Sequence, residues 1–147
     1  MDLRPHDGQV GGVFCACTED TKRVLGERRL RTLRALAEQA TQAKSAEEAC
    51  AIAAATLRGN PYDLPFSMLY LRDADGAKAR RAGATIPDTP ASPAVMELGG
   101  RVDGGWPLGR VIESGESQVV NDLKALFGPG LKLSCGAWPE PARQAIV

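Results

Sequence analysis

The sequence predicts an α+β domain: an antiparallel sheet flanked by helices and entered through a long N-terminal helix. Three observations lead to this class. An uninterrupted helical pattern runs from Thr21 to Ala43. PFSMLYLRDADGAKARRAGAT reads as two strands folded back around a tight Asp75-Gly76 turn. After Trp106, short helical and strand-like runs alternate between Gly and Pro breaks, which suits helices gathered beside an antiparallel sheet rather than regular βαβ units.

With 147 residues, 44% of them hydrophobic, the chain is long enough for one domain with a core, and its 5% aromatic content makes that core chiefly aliphatic and alanine-rich. Eighteen basic and eighteen acidic residues cancel, so no global charge draws the chain to nucleic acid or to a membrane surface. The longest apolar run, Ala49 to Leu57, falls far short of the ~20 residues that cross a bilayer. MDLRPHDGQV lacks the basic and apolar regions of a signal peptide, and a cytoplasmic location is expected. The four cysteines, Cys15, Cys17, Cys50 and Cys135, are spaced neither as a disulfide framework nor as a zinc cluster.

Along the chain, Val10 to Thr18 is rich in Val, Phe and Cys and reads as a strand, although its backbone has no neighbouring strand candidate before Phe66. Cys15 and Cys17 alternate on it and are expected to be buried structural thiols on one face. Thr18 or Thr21 is the expected N-cap of the helix that follows. Leu30, Leu33, Leu36, Ala37 and Ala40 line one side of that helix, opposite Arg28, Arg31, Arg34 and Glu38. So narrow an apolar seam suits either a partner helix or the surface of its own domain.

Ser45 with Glu48 forms a capping box for a second helix, whose expected buried face is Ala49, Ile52, Ala53 and Leu57 and which Gly59-Asn60-Pro61 ends. Phe66 to Leu71 is continuous enough in apolar character for a strand covered on both faces, and Ala77 to Ala84 is its more polar partner. Residues 85 to 105 read as a long loop with one helical turn near Val95 to Leu98. Pro107 and Gly115 bracket a short helix, Ser117 to Val120 is a strand, and Asn121 or Asp122 caps the helical turn LKALF. GPGLKLSCGAWPEP is loop, and Arg143 to Val147 begins a further strand.

A search for chemistry finds little. The one histidine, His6, sits in a Pro/Gly-rich tail unsuited to nucleophile activation or metal binding. No glycine-rich phosphate loop is present. Acidic pairs such as Asp73 and Asp75 fall where turn and cap hydrogen bonding explains them. The arginine-rich stretch from Lys22 to Arg34 is interleaved with acids and has no stacking aromatics, which marks a solvated helix face. Trp106 and Trp138, each followed by proline in a loop, are placed to close over either the core or a small-molecule pocket.

The order helix, helix, FSMLYLRDADG hairpin, long loop, WPLGRVIESGESQVVNDL, WPEPARQAIV resembles a GAF domain of bacterial multidomain sensor histidine kinases. In that family a small helix precedes a strand whose pattern here reads SQVVNDL, Ser117 to Leu123. Asp7 to Leu36 is similar to the last strand of a PAS domain and the signalling helix leaving it. The resemblance implies a PAS-like tail over residues 1–18, a connecting helix over 19–44 and a GAF-like domain over 45–147 that lacks its final strands. The chain is then a fragment of a larger sensor.

The implied function is a sensory or regulatory input module of a two-component system that binds a small ligand or partner and signals through the helix to a kinase output. Tyr70, Trp106 and Trp138 are the expected ligand-binding residues, and Leu30, Leu33 and Ala37 the seam of a homodimer. No cofactor, metal, catalytic residue, nucleic acid or membrane partner is expected. Cys135 is followed by Gly136, not by the histidine of bilin-binding members. The rival readings are a thiol enzyme resembling GAF-type methionine sulfoxide reductases, with Cys135 near Lys132 as nucleophile, and a purely structural dimerisation module.

Overall fold

A computed structural model describes residues 14–99, 105–128, 133 and 137–147. Phe14 to Asp20 precede the first helix without regular structure and are exposed, so the described part of the expected Val10–Thr18 strand is not a strand. No described segment offers it a ladder, and an unpaired strand has nothing to hold it extended. Cys15 and Cys17 are accordingly exposed, not buried, with their sulfurs 3.5 Å apart.

Helix α1 spans Thr21–Ala40. Asp20, not Thr18 or Thr21, occupies its N-cap position, and the carboxylate accepts from the Arg23 guanidinium at 2.5 Å instead of from a helix amide. Helix α2, Ala46–Arg58, starts as the sequence predicts: Ser45 Oγ accepts the Glu48 N–H at 3.1 Å. The Glu48 carboxylate reaches back to the Lys44 N–H at 2.8 Å, one residue further than a standard capping box. The two helices pack together, and Thr56 Oγ1 donates to Gln39 Oε1 at 2.7 Å across them. The half-buried side of α1 carries Leu25, Arg28, Thr32, Ala35 and Leu36, while Leu30, Leu33, Ala37 and Ala40 are exposed. The apolar residues thus divide between two directions, and Arg28 lies on the packed side.

The first sheet has the order β1-β2-β3, with β1 Met68–Arg72, β2 Lys78–Ala84 and β3 Val95–Glu97, all antiparallel. Gly76 at φ 74° makes the β1–β2 turn, where a left-handed backbone favours glycine. Leu69 pairs with Gly83 and Tyr70 with Arg81, so Ala82 is the extra residue of a β-bulge. Val95–Glu97 is a strand and not the expected helical turn, because the free edge of β2 supplies a ladder that local preference does not foresee. The intervening loop is tied down by Arg81, whose guanidinium donates to the Ser92 carbonyl, to Ser92 Oγ and to the Asp88 carboxylate.

Helix α2 lies against β2 and β1, where Gly83 and the buried Ala54 allow close approach. Gly83 and its cross-strand partner Leu69 share the helix-facing side of the sheet, so Met68 and Tyr70 face the other way. That second side is covered by the C-terminal half: α3 Leu108–Ser114, β4 Val119–Val120, α4 Leu123–Phe127 and β5 Ala145–Ile146. Strands β4 and β5 pair antiparallel, and reciprocal bonds between Gln118 and Val147 at 2.8 and 2.9 Å extend the ribbon. Gly115 ends α3 at φ 68°, and Asp122 caps α4 by accepting the Ala125 N–H at 2.8 Å. The core cluster sits here, with Ala91, Trp106, Leu123 and Leu133 buried and Phe66, Met68, Met96 and Phe127 packed around them. The molecule is therefore a mixed α+β structure of helices and small antiparallel sheets, as its sequence predicts.

Candidate functional site

Where the sheet meets the C-terminal half, packing leaves a cavity of about 640 Å³. Phe66, Met68, Tyr70 and Met96 wall it from the sheet side, Trp106 and Leu108 from the start of α3, and Val119, Ala145 and Val147 from the ribbon. The segment from Asp63 to Ser67, which joins α2 to β1, borders it as well. The strand alternation that turns Met68 and Tyr70 away from α2 is what brings them into this space.

Two of the three expected pocket residues meet here. Tyr70 is half-buried and its hydroxyl donates to the Pro93 carbonyl at 2.8 Å. Burial pushes its phenol above the ordinary 10, with Arg81 opposing, so the neutral form is held. Trp106 is buried, its indole N–H donates to the Ala91 carbonyl at 2.6 Å, and its ring lies 4.9 Å from that of Phe127 and 6.1 Å from that of Phe66. It is both a core residue and a wall of the cavity.

Trp138 is elsewhere. It is 50% exposed, borders Tyr62 edge-on at 6.0 Å and donates its indole N–H to the Tyr62 carbonyl at 3.0 Å. The shared tryptophan-proline context does not put both rings over one pocket.

A polar cluster that the sequence reading passed over connects the cavity to α1. Asp63, at the cavity wall, is gripped by Arg28 through two parallel hydrogen bonds, one of them Nε to Oδ2 at 2.8 Å. Asn60, buried, donates both to Asp63 Oδ2 at 3.1 Å and to Thr32 Oγ1 at 3.0 Å. The Arg28 guanidinium also lies 5.4 Å from the centre of the Tyr62 ring, and Tyr62 meets Trp138. Among the described residues this is the one ion pair joining α1 to the rest of the fold. Nothing in YDLP marks Asp63 beyond an ordinary turn after a helix, and the periodicity that sets Arg28 opposite the apolar seam points away from the packed side it occupies.

The hydrogen bonds from Arg28 pull the Asp63 carboxyl down to about 2 from its ordinary 3.8, against its own desolvation and with help from Asn60. A depressed folded-state value means that the pair's contribution is complete above pH 3.8 and is lost as pH falls from there through about 2. Urea unfolding at stepped pH is expected to show stability declining across that window, and Asp63→Asn to remove the Asp63 share of the decline. Asp73, paired with Arg80 at 2.7 Å, is also lowered and supplies a second share that the variant leaves in place.

The remaining expectations divide. Leu30 and Leu33 are 48% and 63% exposed on the outer side of α1, with Ala37 exposed in line with them. Cys50, half-buried on α2, has its thiol pushed up by burial and by Glu47, which disfavours the reactive thiolate. Cys135, Lys132 and His6 lie outside the described residues. No group of three or more His, Cys, Asp or Glu among the described residues could hold a metal ion, and no described helix is long and apolar enough to cross a membrane. Comparison with protein-family models, with curated proteins and with solved structures finds no match to this chain.

Proposed function

We propose that the chain is a sensory input module of GAF type from a two-component signalling protein, in which occupancy of the cavity is passed through α1 to a kinase output. One observation carries this reading: Asp63 borders the cavity and at the same time holds Arg28 on α1. A ligand that displaces or firms the 63–67 segment therefore acts on the anchor of the helix, and a helix with one ionic tie among the described residues is an element whose packing can shift. The order of elements and the SQVVNDL segment support the family assignment, as resemblance only.

The exposed stripe of Leu30, Leu33 and Ala37 has the 3–4 spacing of a helix seam and is assigned to a second copy of this chain. Sedimentation of the purified chain is expected to show a concentration-dependent dimer that the double variant Leu30→Glu, Leu33→Glu dissociates without changing helix content by circular dichroism. A wild-type chain that stays monomeric at high micromolar concentration removes the dimer. The relay itself is tested by hydrogen exchange of the 21–40 amides. Asp63→Asn is expected to speed it several-fold, Asp73→Asn, which breaks a pair remote from α1, to leave it unchanged. Equal exchange in both variants argues against the tie.

A further inference from the structure

The cavity walls restrict what can enter. Among the described residues that border it there is no lysine, arginine or histidine. The one side-chain carboxylate among those described residues, Asp63, is already consumed by Arg28 and Asn60. An anion would lose its hydration with no cation among those described residues to replace it, and a cation would have to compete with Arg28 for a carboxylate that is spoken for. Apart from Asp63, Ser67, Tyr70 and Gln144 the described walls are aliphatic, aromatic or thioether, and about 640 Å³ lies within the ~300–1,000 Å³ of small-molecule sites.

Beside Asp63, the described polar side chains that border the open space are those of Tyr70 and Gln144. Pro93 O can only accept, so Tyr70 must spend its proton there, and the Tyr70 oxygen is left as an acceptor. The Ser67 Oγ, by contrast, is buried within the wall and does not open onto the space. The free Tyr70 acceptor favours a partner that brings a donor.

We infer that the cavity binds a neutral, mostly apolar ring compound carrying one hydroxyl or N–H donor, and that it excludes nucleotides and other anions. This rests on the reading of the cavity as a ligand site. The two are separable with three isosteric probes, 4-tert-butylphenol, 4-tert-butylbenzoate and 4-tert-butylbenzylammonium, with adenosine monophosphate as a fourth. Each is titrated into the full chain bearing Trp138→Phe, so that Trp106 alone emits.

The phenol is expected to perturb Trp106 emission saturably, the two charged isosteres and the nucleotide to bind at least about tenfold more weakly, and Tyr70→Phe to weaken the phenol several-fold. Tighter or equal binding of benzoate, ammonium or nucleotide overturns the ligand class while leaving the cavity a ligand site. Absence of saturable binding by all four overturns both. A phenol affinity indifferent to Tyr70→Phe overturns the hydroxyl's part in recognition.

Discussion

Replacing Trp106 by alanine is expected to cost about 3–5 kcal/mol of stability, the range for deleting a large buried aromatic. The ring is 7% exposed and touches both Phe127 and Phe66, so its removal empties the centre of the core cluster. The Ala91 carbonyl also loses the indole donor that binds it at 2.6 Å, and a buried acceptor without a partner adds its own penalty. Since single domains are stable by roughly 5–15 kcal/mol, the variant stands near the edge of folding. Urea denaturation followed by circular dichroism measures it. Trp106→Phe, which keeps one aromatic ring but loses the N–H and part of the contact, is expected to fall between the two. A loss below about 1 kcal/mol in Trp106→Ala would mean that the ring does not hold the core and that the cavity wall is misplaced.

The second large effect is at Gly83, where α2 crosses β2. A Cβ there would stand 2.6 Å from the Cys50 carbonyl oxygen and 2.9 Å from Ala54 Cβ. The oxygen belongs to the helix backbone and can retreat only if α2 moves as a unit, so Gly83→Ala is expected to destabilise by about 1–3 kcal/mol. Gly26 supplies the opposite sign. It lies inside α1 with nothing within 4 Å of an added Cβ, and Gly26→Ala is expected to stabilise by roughly 0.5–1 kcal/mol through helix propensity alone. Thermal melts of the two variants side by side separate close packing from propensity, because the same chemical change must move the midpoint in opposite directions.

Local signals made much of this architecture readable. Ser45, Asp75-Gly76, Gly115 and Asp122 act through hydrogen bonds or backbone conformations within a few residues, and each punctuates the chain where the sequence places it. Features set by distant partners were not readable. Val95–Glu97 is a strand because β2 has an edge to offer, and no property of those three residues announces it. Residues 14–18 have strand composition but no ladder among the described residues, which shows the same rule from the other side.

At the candidate site, Tyr70 and Trp106 border one cavity and Trp138 does not, so scarcity of aromatics and a following proline do not by themselves place two tryptophans together. Arg28 and Asp63 were missed because they are 35 positions apart and each looks ordinary alone. Counting periodicity on α1 gave one seam, whereas the fold uses Leu36 inward and Leu30, Leu33 and Ala37 outward. An amphipathic stripe about 100° wide fixes which residues are apolar, not which of two neighbours each will meet.

In the proposed relay the cavity and α1 move as one unit through Asp63 and Arg28. The direct measurement is hydrogen exchange of the 21–40 amides with and without saturating 4-tert-butylphenol, with occupancy confirmed by Trp106 emission in the Trp138→Phe chain. Slower exchange on α1 upon binding, abolished by Asp63→Asn, is the predicted result. Confirmed occupancy with α1 exchange unchanged would contradict it.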